Sequence, residues 1–314
     1  MSMPPTPSMP ASPPARSGRP DPYDRTRSSR GSESAFGPRL HSALQARGPL
    51  CVGIDPHPGL LGQWGLSDDA DGLDRFATAV VTALAGEVAV LKPQSAFFER
   101  HGAAGIGVLE RTIAGARAAG ALVILDAKRG DLGSTVQGYA DAYLRPGAPL
   151  AADALTVNAY LGFGSLRPFL DAAAGSGAGV FVVTLTSNPE GAEVQRAVTS
   201  SGRTVAGTLL AAVADHNASD PATGRRALGS VGAVVGATLD HAGEDLDCGG
   251  PLLVPGLGTQ GGTAADVRRL FPGLLDRVVP SVSRSVLAAG PSAAALRAAA
   301  LHQRDELLSA LAAG

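Results

Sequence analysis

Residues 121–144 read ALVILDAKRGDLGSTVQGYADAYL, an apolar run followed by a charged turn and then a helical pattern. The opening apolar run has the length and content of a buried strand. Apolar side chains between Val136 and Leu144 then recur at helical spacing, and Arg145-Pro146-Gly147 ends the pattern. Ser134 or Thr135 is predicted to cap this helix. The stretch therefore predicts one strand–turn–helix unit.

The same unit recurs along the chain from Pro38 onward. Strands are predicted at 50–54, 88–91, 122–125, 154–157, 179–184, 231–235, 252–254 and 277–282. Amphipathic segments such as 73–84 lie between them, which predicts a parallel sheet with right-handed crossovers. Eight units favour an α/β fold of the (β/α)8 TIM barrel type. An open doubly wound sheet is the alternative, but no GxGxxG follows the first strand.

Residues 1–36 differ from the rest of the chain. They are rich in Pro, Ser and Arg and nearly free of large apolar residues, which predicts a disordered N-terminal tail. They contain no apolar segment of the kind that a secretory signal requires. We therefore predict a dispensable tail over 1–36, a barrel domain over 37–314 and a cytoplasmic location.

Composition excludes several classes of function. The 314 residues are 45% hydrophobic and 17% charged, with a formal net charge of −2, so neither a nucleic acid nor an anionic membrane is expected as a partner. The longest apolar runs are too short to span a bilayer. Cys51 and Cys248 are expected to be core residues, and the six histidines show no zinc-binding spacing, so no metal site is expected.

Lysine is scarce in a way that points to chemistry. Of 26 basic residues, only Lys92 and Lys128 are lysines, and each lies at the end of a predicted strand. Arginine cannot give up its proton in proteins, whereas lysine can. We interpret the two lysines as positions where arginine would not serve.

Polar side chains follow most of the predicted strands, where barrel enzymes place their chemistry. Asp126 and Lys128 are two residues apart and are expected on one side of their strand, with Lys92 joining them from the neighbouring strand. Flanking acids would keep Lys128 charged, and such preorganised charge suits an electrostatic catalyst. After the last two strands, PGLGTQGG at 255–262 and Arg284 are typical of a phosphate site, and the glycines suggest a lid.

Six signatures occur in order along the chain: Asp55, Lys92, DAKRGD at 126–131, SNP at 187–189, PGLGTQGG at 255–262 and Ser283-Arg284. With these signatures, the chain from about residue 40 to about residue 290 resembles the orotidine 5'-phosphate decarboxylases, in particular their longer bacterial branch. The resemblance implies conversion of orotidine 5'-monophosphate to UMP and carbon dioxide, the last step of de novo pyrimidine synthesis. It also implies no metal, no organic cofactor and a homodimer with shared active sites.

The resemblance also implies a role for individual residues. Lys128 would protonate C6 of the pyrimidine, Asp126 would lie against the substrate carboxylate, and Asp131 would reach into the neighbouring subunit's site. The implied substrate-binding residues are Asp55 and Lys92 at the ribose, Thr135 from the partner, Ser187 and Gln260 at base and phosphate, Pro255, Ser283, and Arg284 at the phosphate. At Ser283 many relatives have glycine. A decarboxylase without an electron sink must rely on fixed charge and a ready proton.

Three other functions remain open from the residues alone. A Schiff-base aldolase would need a neutral lysine, which acids beside Lys128 disfavour. A metal-dependent sugar-phosphate decarboxylase or synthase shares the DxKxxD pattern and would need magnesium. A nucleotide-binding protein without activity is the third, although nothing would then keep its lysines from becoming arginine. The segment 192–202 reads equally well as helix or loop.

Overall fold

The structure, a computed structural model, describes residues 35–219 and 228–312. The predicted tail, 1–36, lies outside the described residues except for its last two. Within the described ranges, eight parallel strands close a barrel in sequence order. They are β1 Cys51–Ile54, β2 Val90–Pro93, β3 Leu122–Arg129, β4 Ala154–Asn158, β5 Gly179–Leu185, β6 Val231–Val235, β7 Leu252–Pro255 and β8 Val278–Val282. The predicted TIM barrel is confirmed, and the doubly wound alternative is wrong.

Helices follow the strands on the outside of the barrel. They are α1 Phe36–Arg47, α2 Pro58–Gln63, α3 Ala70–Leu84, α4 Ser95–Glu99, α5 Gly102–Ala118, α6 Gly133–Tyr143, α7 Arg167–Ser176, α8 Ala192–Gln195, α9 Val205–Ser219, α10 Ala264–Leu270, α11 Arg284–Leu287 and α12 Ala293–Ala312. The amphipathic segment predicted at 73–84 lies in α3, where Leu73, Phe76 and Val80 are buried. Its apolar face therefore packs on the barrel, as its spacing indicates.

The N-terminal cap of α6 differs from the prediction, and the segment 192–202, which the sequence left open, has a defined structure. Helix α6 begins at Gly133 with Leu132 as its N-cap residue, and no side chain makes a capping hydrogen bond. The predicted caps Ser134 and Thr135 are therefore wrong: Gly133, at φ 56°, makes the turn earlier and leaves both residues exposed inside the first helical turn. The undecided segment 192–202 is the short helix α8 followed by a turn, in which Val198 pairs with Thr204.

The interior of the barrel is filled with side chains. One cluster of buried residues takes one member from each strand: Cys51, Val90, Ile124, Ala154, Phe181, Val234, Leu253 and Val279. Helix α1 adds Phe36, whose ring is fully buried and meets Phe181 edge-on at 5.9 Å between centroids. The helix thus begins one residue before the boundary predicted at 37. Because these described residues fill the interior, a ligand is expected at the carboxyl ends of the strands, as in other barrels of this type.

Both cysteines are buried, as predicted. Burial raises the pKa of the Cys51 thiol to about 12. Cys51 is therefore a core residue without reactive character.

Candidate active site

A pocket of about 230 Å³ opens at the carboxyl ends of the strands. Its polar lining comes from around the barrel: Asp55, His57, Lys92, Gln94, Asp126, Lys128, Thr156, Thr186, Thr259, Gln260, Ser281, Ser283 and Arg284, together with Pro255. Most of the residues singled out in the sequence are therefore brought to one place. A larger cleft, of about 380 Å³, lies beside it between the loops after β5 and β6, but neither lysine reaches it.

Asp126 lies at the centre of the pocket's charges and binds both lysines at once. Its Oδ2 accepts a hydrogen bond from Lys92 Nζ at 3.0 Å, and its Oδ1 accepts one from Lys128 Nζ at 2.6 Å. The side chains of Lys92 and Asp126 are 6% and 9% exposed, whereas that of Lys128 is 46% exposed. The predicted convergence of these three residues is confirmed, and only Lys128 presents its ammonium group to the pocket mouth.

The environment keeps the buried pair ionised. Burial alone would raise the pKa of Asp126, but Lys92 and Lys128 hold it well below its usual range. Burial would likewise lower the pKa of Lys92, yet the nearby carboxylates of Asp126 and Asp55 raise it above its ordinary value. The Lys92 ammonium group and the Asp126 carboxylate therefore both stay charged although the pair is buried.

Strand β3 is irregular at Lys128. Its pairing with β4 shifts register between Leu125 and Arg129, and Lys128 is the only non-glycine residue in the described ranges with a positive φ, at 48°. Left-handed backbone is unfavourable for a residue with a Cβ and is concentrated at functional sites. Simple strand alternation correctly places Asp126 and Lys128 on one side but does not reveal this bulge.

The hydroxyl group of Thr156, on β4, lies under this bulge. Thr156 Oγ1 accepts hydrogen bonds from the backbone N–H groups of Ala127 and Lys128, both at 3.0 Å, and donates to Asp126 Oδ1 at 2.9 Å. Thr156 thus contacts both the backbone of one charged residue and the carboxylate of the other.

Arg129 anchors the outer side of the same bulge. Its guanidinium group forms an ion pair with Glu99 of α4 and hydrogen bonds with the Ala127 carbonyl at 3.1 Å and the Tyr143 hydroxyl at 3.3 Å. It also lies 5.7 Å from the ring centroids of Tyr139 and Tyr143. Because arginine is the general cation of this chain, nothing in the sequence distinguishes Arg129 from surface arginines.

The pocket lining after β1, β7 and β8 offers further groups to a ligand. Asp55 Oδ1 and Ser283 Oγ are buried without a hydrogen-bond partner among the described residues, so both are available to a ligand. Arg284 is exposed at the start of α11. Gly256 and Gly258 have φ values of 106° and 75°, backbone that favours glycine. The loop after β7 can therefore turn its peptide groups toward the pocket mouth.

Three candidate residues do not line this pocket. Asp131 follows β3, and its Oδ1 accepts a hydrogen bond from Leu132 N at 2.8 Å. Thr135 is exposed on α6, and Ser187 lines the neighbouring cleft. Asp131 and Thr135 therefore lie near the site but outside its lining.

Gln94 and His57 are among the lining residues that the sequence did not identify as site residues. Gln94 follows Lys92 by two residues, so the alternation used for Asp126 and Lys128 would have found it; its Nε2 donates to the Asp126 carbonyl at 3.3 Å. His57 packs on Phe97 with 4.2 Å between ring centroids, and its spacing after β1 carries no comparable signal. Both residues follow the strands that carry Asp55 and Lys92, β1 and β2.

Residues 35–219 and 228–312 contain no group of three or more His, Cys, Asp or Glu side chains arranged to hold a metal ion. In the same ranges, no helix combines the length and apolarity needed to cross a bilayer.

Known proteins similar to the chain agree on one family. Residues 48–299 match the profile of the orotidine 5'-phosphate decarboxylase / HUMPS family. An orotidine 5'-phosphate decarboxylase of Salinispora arenicola is 61% identical over 85% of this chain and 94% of its own length. One of Streptomyces coelicolor is 58% identical over 88% and 99%. The crystal structure of a Streptomyces avermitilis protein assigned to the same activity superposes with a TM-score of 0.85 at 58% identity, covering 88% of this chain and 96% of that one.

Proposed function

The chain belongs to the orotidine 5'-phosphate decarboxylase / HUMPS family, and from this premise we propose that it converts orotidine 5'-monophosphate to UMP and carbon dioxide in pyrimidine synthesis. The observation that carries the proposal is the carboxylate of Asp126 held between Lys92 and Lys128 at the pocket mouth. The relatives that this chain matches over nearly their whole length are named orotidine 5'-phosphate decarboxylase. The reaction is a carboxy-lyase reaction.

The charged cluster supports a mechanism without metal or organic cofactor. The substrate carboxylate would lie against Asp126. Asp126 cannot relieve the repulsion by taking up a proton, because two lysines keep its pKa low. As the C6–carboxylate bond breaks, carbon dioxide departs neutral, the repulsion from Asp126 disappears, and the electron pair remains on C6. The Lys128 ammonium then gives its proton to C6. This arrangement favours the transition state over the ground state.

The exposure of Lys128 suits the second half of the cycle. Once it has given a proton to C6, its amine must regain one before the next turnover. With 46% of its side chain exposed, Lys128 can take that proton from water, whereas Lys92, at 6%, cannot readily do so. Lys128 is therefore the proton donor in this proposal, and Lys92 is the fixed cation that keeps Asp126 charged.

The remaining candidate residues would bind the nucleotide. Asp55 and Lys92, at the ends of the paired strands β1 and β2, would hold ribose hydroxyl groups. Gln260 and Arg284 follow β7 and β8 and, with Pro255 and Ser283, would hold the phosphate. Ser187 would approach the base from the neighbouring cleft. The buried, unpartnered Ser283 hydroxyl is an additional donor.

Asp131 and Thr135 would act in a partner subunit of a homodimer. The support is an apolar surface beside them at the ends of β3 and β4: Leu132, Tyr160 and Leu161 are 57%, 77% and 49% exposed. Exposed apolar groups of this size commonly mark a protein–protein interface. A second copy of the chain covering this surface would bring Asp131 to the edge of its neighbour's pocket.

The deciding experiment supplies orotidine 5'-monophosphate to the purified protein in the presence of EDTA and follows carbon dioxide and UMP together. We expect equal amounts of both products and no loss of rate in EDTA. The variant Lys128→Arg should still bind UMP and keep its charge, yet lose roughly 10³-fold or more in turnover because arginine cannot give up a proton. Turnover within about tenfold of the parent would contradict the proton-donor role.

The same experiment separates the alternative functions. Borohydride trapping of a covalent adduct on Lys128 would indicate a Schiff-base aldolase. Loss of activity in EDTA that magnesium restores would indicate a metal-dependent enzyme. Binding of UMP without release of carbon dioxide would indicate a nucleotide-binding protein without activity.

A further inference from the structure

The hydroxyl group of Thr156 uses all of its hydrogen-bonding positions. It is 1% exposed, accepts from the two adjacent N–H groups of Ala127 and Lys128, and donates its proton to Asp126 Oδ1. A hydroxyl has one donor and two acceptor positions, so this geometry uses all three. A structural threonine on a strand does not need this arrangement: Thr184 on β5, equally buried, makes a single bond to the Val234 carbonyl at 2.9 Å.

The three bonds meet where β3 departs from regular strand geometry. The backbone at Lys128, with φ of 48°, is unfavourable for a lysine and persists only where the surroundings hold it. The register shift against β4 removes the regular ladder bonds between Leu125 and Arg129. The Thr156 side chain takes the place of those bonds for Ala127 and Lys128, and without it the buried Ala127 N–H and the part-buried Lys128 N–H would lose this partner.

We propose that Thr156 is a positioning residue for the decarboxylation proposed above, holding the left-handed backbone of Lys128 and the carboxylate of Asp126 to one common point. It acts through these two residues and does not itself contact the reacting atoms. One hydroxyl thereby sets the direction of the proton donor and the orientation of the carboxylate that opposes the substrate. Without it, the bulge relaxes toward ordinary strand geometry, and the Lys128 ammonium group leaves its place beside Asp126 Oδ1.

The test compares Thr156→Val, Thr156→Ser and the matched control Thr184→Val. Valine has nearly the volume of threonine but no hydroxyl, and serine keeps the hydroxyl. We expect Thr156→Val to lose about 10²-fold in kcat, as a misplacement of about 1 Å does, while its Kd for UMP changes less than about threefold. Thr156→Ser should recover to within about fivefold of the parent, and Thr184→Val should keep full activity.

A second measurement does not depend on activity. Because the chain has two lysines, labelling lysine with ¹⁵N gives two side-chain signals, and Lys128→Arg identifies which belongs to Lys128. We expect the Lys128 signal to shift in Thr156→Val and to stay unchanged in Thr184→Val. A parent protein that releases no carbon dioxide would overturn the proposed function, whereas this signal would still decide the role of Thr156.

Several outcomes would overturn the role of Thr156. They are a Lys128 signal that does not move in Thr156→Val, equal kcat in Thr156→Val and Thr184→Val, or a Thr156→Ser variant as impaired as Thr156→Val. If Thr156→Val does not fold, Thr156→Ser decides alone: a loss of about 10²-fold despite the retained hydroxyl would contradict the proposal.

Discussion

Asp126 uses both of its carboxylate oxygens to hold cations, and this decides how the site responds to pH. A buried ion pair gives little net stability, but loss of one partner leaves an uncompensated charge and costs about 3–5 kcal/mol. Lys92 and Asp126 are such a pair, because both side chains are less than one tenth exposed. The charge of Lys92 and the charge of Asp126 therefore each depend on the other for compensation inside the site.

We expect Asp126→Asn to lower the free energy of unfolding by about 3 kcal/mol at pH 7, because it leaves Lys92 buried beside a neutral amide. The pKa of Asp126 is lower in the folded protein, so the stability due to its ionisation is complete above the unfolded value of about 3.9 and is lost as the pH falls below it. Urea unfolding between about pH 3 and pH 7 should therefore show the difference between parent and variant narrowing below about pH 4. The control is Asp276→Asn, which makes the same substitution at an exposed carboxylate. A difference that stays constant across this range would contradict the charged pair.

The sequence allowed the charged residues of the site to be predicted, but not what orients them. Lysine scarcity and strand alternation identify Lys92, Asp126 and Lys128, because both signals depend on residues close together in the chain. The anchors Thr156 and Arg129 depend on contacts between different strands and helices, and such contacts leave no local pattern. The sequence shows that Thr156 is a polar residue at the end of a predicted strand. It does not show that Thr156 forms hydrogen bonds with the backbone of β3.

At the scale of elements, all eight strands were predictable because each is a short apolar run bounded by turn residues. The ends of the strands were less predictable than the strands themselves. Strand β3 extends to Arg129, four residues beyond the predicted end, because the charged residues after Leu125 continue to pair with β4 through a bulge. Charged residues at the end of a strand usually indicate a loop. Here they remain in the sheet because Thr156 supplies the missing bonds.

Gly258, in the loop after β7, and Gly273, which follows α10, form a matched pair for testing the phosphate site. Gly258 and Gly273 have almost the same backbone, with φ of 75° and 74°. A Cβ at Gly258 would lie 3.1 Å from Ser285 Oγ, beside Arg284, whereas one at Gly273 would meet nothing within 4 Å. We expect both alanine variants to lose about 1–2 kcal/mol of stability, because both force alanine into left-handed backbone.

Only Gly258→Ala should also raise KM for orotidine 5'-monophosphate, by several-fold, since it alone alters the loop that would hold the phosphate. Steady-state kinetics and thermal unfolding of the two variants separate the effects. An equal KM in both would mean that the loop after β7 does not bind the substrate.

At the scale of the whole molecule, the barrel is closed at one end and incomplete at the other. In the described part of the chain, Phe36 and the ring of inward side chains fill the amino-terminal end, and the pocket lies at the carboxyl ends of the strands. On that face, Asp131 belongs to the DAKRGD motif yet does not line the pocket of its own chain. The apolar surface of Leu132, Tyr160 and Leu161 next to it remains exposed in the single chain.

Sharing of sites between subunits can be tested by pairing two inactive variants. In a dimer of one Lys128→Ala and one Asp131→Ala subunit, the site that keeps Lys128 would receive an intact Asp131 from its partner. Purified mixed dimers, isolated with two different affinity tags, should therefore recover about half of the parent activity, because a twofold dimer has two sites and one is complete. Mixed dimers of Lys128→Ala and Asp126→Ala should stay inactive, since both residues belong to the pocket of one chain. If the first pair also stayed inactive, Asp131 would act within its own subunit, and the apolar surface beside it would need another partner.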